Sequence, residues 1–203
     1  GLLIAIVFLC AFCVPVAAAS KLPRLQVKGT QLVNSSGKKV QLRGISTHGL
    51  SWYPEYVNQS AFTFMKKNWK VNAVRLAMYT AEYNGYCTGD ASNRRKLEAC
   101  IDNGVKYATN AGMYVIIDWH ILSDGNPQQN QKEALKFFKK MAKKYKNNTN
   151  VIYEICNEPN GGTSWSTIKK YAEKIIKGMI YRKIRVLCDA FCGTPPEKAR
   201  FHF

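Results

Sequence analysis

No internal repeat, linker or low-complexity stretch interrupts these 203 residues. Outside the first 19 residues there is no Cys-x-x-Cys pair and no Cys/His grouping at zinc-ligand spacing, so no structural zinc site is expected. Acidic residues are scarce. Asp and Glu number 13 against 30 Lys and Arg, a net charge of +17. Such a balance invites a nucleic-acid or anionic-surface reading. Yet no Lys/Arg run is interleaved with base-stacking aromatics, so nucleic acid is not an expected partner. At 46% apolar and 21% charged residues, disorder and collagen-like order are excluded. The length suits one good core and is short for two domains.

The first feature present is an apolar run, Leu2 to Ala19. Its length touches the threshold for a membrane span. Its dense part, Leu2 to Val14, is followed by Pro15 and the small residues Val16-Ala17-Ala18-Ala19-Ser20. That is the pattern of a secretory signal peptide. The expectation is a signal at 1–19, a single domain at 20–203, a secreted product, and no stable membrane span after cleavage. Cys10 and Cys13 lie in the signal. The five others, Cys87, Cys100, Cys156, Cys188 and Cys192, are odd in number, which leaves at least one free thiol. Cys87 and Cys100 could pair as a loop staple. Cys156 sits in an apolar strand pattern and reads as a small core residue. Sequons at Asn34, Asn58 and Asn147 matter only in a eukaryotic host.

Past the signal, Leu25–Val33 and Lys38–Leu42 alternate around Asn34-Ser35-Ser36-Gly37 and read as a hairpin. A rhythm follows. Strand patterns at 41–47, 71–78, 113–120, 151–157 and 185–190 alternate with helical patterns at 60–69, 94–111, 131–146 and 164–181. The inward positions are Phe62, Met65 and Trp69; then Leu97, Ile101, Val105 and Ala108. Next come Leu135, Phe138, Met141 and Tyr145, then Trp165, Ile168, Ala172, Ile175 and Met179. Strict alternation of periods 2 and 3.6 predicts a parallel sheet with right-handed crossovers. The strands read as apolar on both faces, as buried parallel strands do. The rhythm also locates the charge: lysines 132, 136, 139, 140, 143, 144 and 146 fall opposite the apolar stripe of the third helix. That is a solvated outer face.

Polar residues gather where the strand patterns end: His48; Arg75 and Tyr79; Asp118 and His120; Asn157 and Glu158. In a parallel α/β barrel the C-terminal rim of the strands is where catalysis is built. One strand-end Arg or His is commonly a structural hydrogen-bonder. Four successive strands ending this way argue for a site.

Four ordered motifs carry a resemblance. They are Arg43-Gly44-Ile45-Ser46-Thr47-His48-Gly49-Leu50-Ser51-Trp52, Asn72-Ala73-Val74-Arg75-Leu76-Ala77-Met78-Tyr79, Val115-Ile116-Ile117-Asp118-Trp119-His120 and Tyr153-Glu154-Ile155-Cys156-Asn157-Glu158-Pro159. From about Leu25 to Tyr181 the chain resembles glycoside hydrolase family 5, the cellulase family, and most of all its bacterial-type endo-β-1,4-glucanases. The resemblance implies a (β/α)8 TIM barrel, of which this chain carries about the first five strands. It implies hydrolysis of β-1,4-glucosidic bonds with retention, no metal and no organic cofactor, and a β-glucan polysaccharide (cellulose) as partner. It makes Glu158 the general acid/base and puts Asn157 on the sugar 2-OH. Arg75 would lie beneath the second carboxylate and hold it ionised. His120 would line the cleavage subsite, and His48, Trp52 and Tyr79 would hold sugars. For Trp52 and Tyr79, plain core packing is the competing reading.

The second carboxylate is the difficulty. Glu154 precedes Glu158 by four residues, about 13 Å along a strand at about 3.3 Å per residue. A retaining pair stands about 5–5.5 Å apart and an inverting pair about 6.5–9.5 Å, so Glu154 reads as structural. Asp118 matches a supporting residue of the family. The family's nucleophile ends the seventh barrel strand, which places it outside this chain. The tail departs from the family too: Asp189–Cys192 looks inserted, and Pro196–Phe203 matches no family pattern. A fragment of a longer enzyme is the expectation. The alternatives are another β-glycanase of the family, such as a mannanase, or a non-catalytic carbohydrate-binding remnant.

Overall fold

The computed structural model describes residues 21–179 and the short strand Val186–Leu187. Residues 1–19, read from sequence as a signal, together with Cys188, Cys192 and the divergent tail, lie outside the described residues. In order, the elements are β1 (Leu25–Lys28), β2 (Gln31–Asn34), β3 (Gly44–Ser46), a 3₁₀ turn (Pro54–Tyr56), α1 (Gln59–Phe64) and a π turn (Met65–Trp69). Then follow β4 (Ala73–Tyr79), α2 (Ala91–Asn110), β5 (Tyr114–His120), α3 (Gln131–Lys144), β6 (Val151–Glu154), α4 (Trp165–Met179) and β7 (Val186–Leu187).

β1 and β2 form an antiparallel hairpin, Leu25 opposite Asn34. The turn comes earlier than the sequence suggested. It falls at Gly29, whose φ of +61° is left-handed backbone that suits glycine. The Asn34–Gly37 turn leads only to one further bridge, Val33 to Lys39. The second sheet is β3-β4-β5-β6-β7 in sequence order, every pair parallel. α1 with its π turn, then α2, α3 and α4, are the four crossovers, as the alternating periods require.

The two faces of this sheet differ, which corrects the expectation of strands apolar on both sides. Alternate residues of a strand face opposite ways. One face carries Val74, Leu76, Met78, Val115, Ile117, Trp119, Val151 and Tyr153, all buried in one large core with the helices. α2 can lie close because Gly104 has no side chain: a Cβ there would sit 2.6 Å from Leu76 Cδ1. The other face is apolar chiefly at its N-terminal end, where Ala73, Tyr114 and Ile152 pack on Leu25 of the hairpin. Beyond that layer it turns polar, with Arg75, Asp118 and Glu154, then Tyr79 and His120. The hairpin thus closes one end of the inner face and leaves the C-terminal end for chemistry.

The helices obey their caps. Asn58 accepts from Ala61 N at 2.8 Å and Asp90 from Asn93 N at 2.7 Å, satisfying orphan N-terminal donors. Trp69 is a correction. The wider π turn shifts the phase of the last residues, so Phe62 is buried while Trp69 is 59% exposed. Along α3 the buried residues are Ala134, Phe137, Phe138, Met141 and Ala142, with Tyr145 just beyond; Leu135 is only partly covered. All seven lysines of the region are exposed. Cys87 and Cys100 are free thiols, not a staple. Each packs against the core, and burial pushes them up to about 12 and about 11. Cys156 is buried, as expected. Among the described residues no helix is long and apolar enough to cross a membrane.

Candidate active site

Register brings the polar strand ends together. Ser46 lies opposite Arg75, Tyr79 opposite His120, and Asp118 opposite Glu154. β6 stops at Glu154, three residues before the expected end. Ile155 and Cys156 stay buried but leave the ladder; Ile155 O instead accepts from Tyr171 Oη at 2.6 Å. Asn157 N donates to Trp119 O at 3.3 Å. The chain then turns outward at Glu158, which is exposed, while Asn157 is buried.

Arg75 is the hub. Its Nε donates to Glu154 Oε2 at 2.7 Å and its Nη2 to Glu154 Oε1 at 2.6 Å, the paired geometry that a guanidinium matches best. Nη2 also lies 2.7 Å from Asn157 Oδ1 and 2.9 Å from Asp118 Oδ2. Nη1 reaches Ser46 Oγ at 3.3 Å. Glu154 is thus spent on Arg75, with a side chain only 3% exposed.

These donors fix the state of His120. Arg75 can only donate, so Asn157 turns its Oδ1 to it. The amide Nδ2 then faces Ile121 O at 3.0 Å and His120 Nε2 at 3.2 Å. That polarity leaves Nε2 to accept and Nδ1 to carry the ring proton toward Asp118 Oδ2 at 2.6 Å, a much shorter contact than the 3.5 Å approach of Arg75 Nη1 to the same nitrogen. The neutral ring is what its surroundings favour. Burial first, then the Arg75 guanidinium, lower His120 to about 4, against the opposing pull of Glu154, Glu158 and Glu82.

An aromatic wall continues from His120. The Tyr79 ring lies 4.1 Å from it and Trp52 lies 4.8 Å beyond Tyr79. His48 is 5.4 Å from Trp52. Trp52 Nε1 donates to Tyr83 O at 2.8 Å, which pins the indole edge. Trp52 and Tyr79 are both half-buried and His48 is exposed, so simple core packing does not describe them. Burial raises Tyr79, helped by Glu82, Asp118 and Glu158 and opposed by Arg75.

The sequence reading missed the frame behind the site. Asp124, buried, accepts from Thr80 Oγ1 at 2.8 Å, Leu122 N at 3.1 Å and Asn130 Nδ2 at 2.9 Å. Asn160 then ties the next loop to this one, donating to Leu122 O at 2.7 Å. A lone Asp before Gly125 and Pro127 carries only a turn signal in sequence. All seven residues singled out, His48, Trp52, Arg75, Tyr79, His120, Asn157 and Glu158, belong to this one rim.

The sequence model of Cellulase (glycosyl hydrolase family 5) matches residues 33–180. The chain belongs to glycosyl hydrolase family 5. It is 49% identical over 172 residues to Endoglucanase A of Butyrivibrio fibrisolvens, covering 85% of this chain and 39% of that one. It is 48% identical over 154 residues to an endoglucanase of Clostridium saccharobutylicum, covering 75% and 33%. The fold matches the cellulase Cel5C_n with a TM-score of 0.79 at 39% identity, covering 86% of this chain and 56% of that one. It also matches the catalytic domain of a Thermobifida fusca endoglucanase solved with cellotetraose, with a TM-score of 0.71 at 42% identity, covering 77% and 49%. The chain therefore spans less than half the length of these two sequence relatives. In the terms of this family 5 cellulase fold, its five-stranded sheet with crossover helices is part of a (β/α)8 barrel.

Proposed function

We propose that this chain is the N-terminal part of a secreted endo-β-1,4-glucanase, with a signal peptide at 1–19 and barrel from 20 onward. One observation carries the reading: Glu158 stands exposed at the rim, directly after a buried Asn157 whose every amide atom is already bonded. A general acid must reach the glycosidic oxygen, and its neighbours must not wander. Asn157 Oδ1 keeps a second lone pair beside its bond from Arg75, and with it accepts from the sugar 2-OH. His120, neutral, lines the cleavage subsite. His48, Trp52 and Tyr79 offer ring faces to the apolar C–H side of glucose units. The family relationship supports β-glucan as substrate.

Net retention requires a second carboxylate at the anomeric carbon. Glu154 and Asp118 are both engaged by Arg75, which argues against either as nucleophile. We assign that group to sequence beyond Phe203, where Arg75 would also face it. The test is hydrolysis of carboxymethylcellulose. The 203-residue chain should release little or no reducing sugar. The gene extended through the remaining barrel should be active, and Glu158→Gln should abolish that activity. Clear activity of the 203-residue chain, lost on Glu158→Gln, would refute the missing nucleophile. An extended enzyme inert on every β-glucan would refute the activity itself.

A further inference from the structure

α3 lies between two other helices of this same chain. On one side Lys140 and Lys144 reach Glu98 and Asp102 of α2. On the other, Gly178 of α4 comes so close that a Cβ there would meet Leu135 Cδ1 at 2.2 Å and Lys139 Cε at 3.2 Å. Barrel helices form an outer ring, so the outward face of α3 is open to solvent whether or not the barrel is closed. α3 and α4 carry ten lysines against two acids, Glu133 and Glu173.

The charges sort by direction. Toward α2 they are paired. Along the outward face stand Lys132, Lys136, Lys139 and Lys143, all exposed, within about 60° of arc and about 17 Å of helix axis. Lys136 meets Glu133 at 3.0 Å. Among the described residues, Lys132, Lys139 and Lys143 have no ion-pair partner. Lys174 and Lys177, close to Gly178 on α4, extend the patch and are exposed too. The arrangement works against the helix. Lys132 and Lys136, Lys136 and Lys140, and Lys139 and Lys143 are each four residues apart, and like charges at that spacing destabilise. A bound polyanion removes that repulsion.

The side chains select among polyanions. α3 and α4 contain no arginine to fork onto phosphate oxygens. The aromatic residues of α3, Phe137 and Phe138, are buried, so they offer no ring to a base. Its apolar stripe is packed in the core and cannot enter a bilayer. What remains is a row of point charges on long stems, each suited to a single carboxylate. We infer that the outward stripe of α3, with Lys174 and Lys177 beside it, docks a polyuronate, a polysaccharide with one carboxylate on each sugar. α3 follows the C-terminal end of β5, so the row starts near the rim and runs away from it, leaving the rim open. The inference goes beyond the β-glucan reading and does not depend on it.

The experiment is binding of the 203-residue chain to immobilised polygalacturonate, followed by interferometry. Affinity should fall steeply between about 50 and about 200 mM salt. The joint change Lys132→Gln, Lys139→Gln, Lys143→Gln and Lys174→Gln should weaken binding roughly tenfold. It relieves repulsion and breaks no ion pair, so its urea midpoint should not fall below the parent's. The joint change Lys28→Gln, Lys38→Gln, Lys39→Gln and Lys67→Gln removes the same charge from other exposed positions and should weaken binding less than about twofold. Equal losses in the two variants, or no binding at about 50 mM salt, overturn the docking surface. Tighter binding to duplex DNA or to phosphatidylserine vesicles, lost in the stripe variant, overturns the polyuronate assignment.

Discussion

Arg75 Nη2 lies 2.7 Å from Asn157 Oδ1, and that contact sets the hydrogen-bond polarity of the whole site. It turns the amide, makes His120 Nε2 an acceptor and sends the ring proton to Asp118. A residue on β4 thereby decides the tautomer of one on β5 through a residue beside Glu158.

The first prediction concerns pH. His120 is lowered from about 6.5 to about 4, mainly by burial and then by Arg75. Between those values the unfolded chain binds a proton that the folded chain refuses. Folding stability therefore rises with pH through this window and is lost as pH falls from about 6.5 toward 4. The slope approaches one proton, about 1.4 kcal/mol per pH unit. Urea titrations from pH 4 to 7 on the parent and on His120→Asn measure it. The slope should shrink in the variant, and an identical slope would remove His120 from the account.

The second concerns the ion pair. Arg75→Met leaves Glu154 and Asp118 buried without the guanidinium, and breaking a buried pair from one side costs about 3–5 kcal/mol. Arg75→Lys should recover only part, because an ammonium cannot bond both Glu154 oxygens in the forked geometry. Urea midpoints should fall in the order parent, Lys, Met. Equal midpoints for Lys and Met would show that the fork contributes nothing.

The third concerns thiols. Cys87 and Cys100 are separate, half-buried and pushed up to about 12 and about 11 by burial. The thiolate is the reactive form. At pH 8 both should alkylate slowly with iodoacetamide in the folded protein and quickly in urea. Peptide mapping without reductant should show no Cys87–Cys100 link; finding one would contradict the structure.

Much of this was legible from the chain. The alternation of periods located each barrel strand to within a few residues, because buried strands and amphipathic helices leave different apolar spacings. The strand-end polar residues were legible because a rim needs them and a core does not. The hairpin turn was misread because Asn34-Ser35-Ser36-Gly37 is the stronger turn signal, while Gly29 acts through a single φ. Trp69 was misread because a π turn leaves no periodic mark. The Glu154–Arg75 fork was invisible: it joins residues 79 apart, and only strand register brings them together.

Asp124 yields the last prediction. It touches no residue of the proposed chemistry, yet it receives Thr80, Leu122 and Asn130. Leu122 O in turn receives Asn160, two residues past Glu158. Asp124→Ala removes the acceptor and strands buried donors at about 1–3 kcal/mol. Thr80→Val removes one donor and leaves the carboxylate its other two partners, so it should cost less. The two effects separate by location as well as size. In hydrogen exchange, Asp124→Ala should lose protection at the Leu122 amide and through 155–164, while α2 stays protected. Loss spread evenly over the chain would mean that Asp124 supports the core at large and not the loop that carries Glu158.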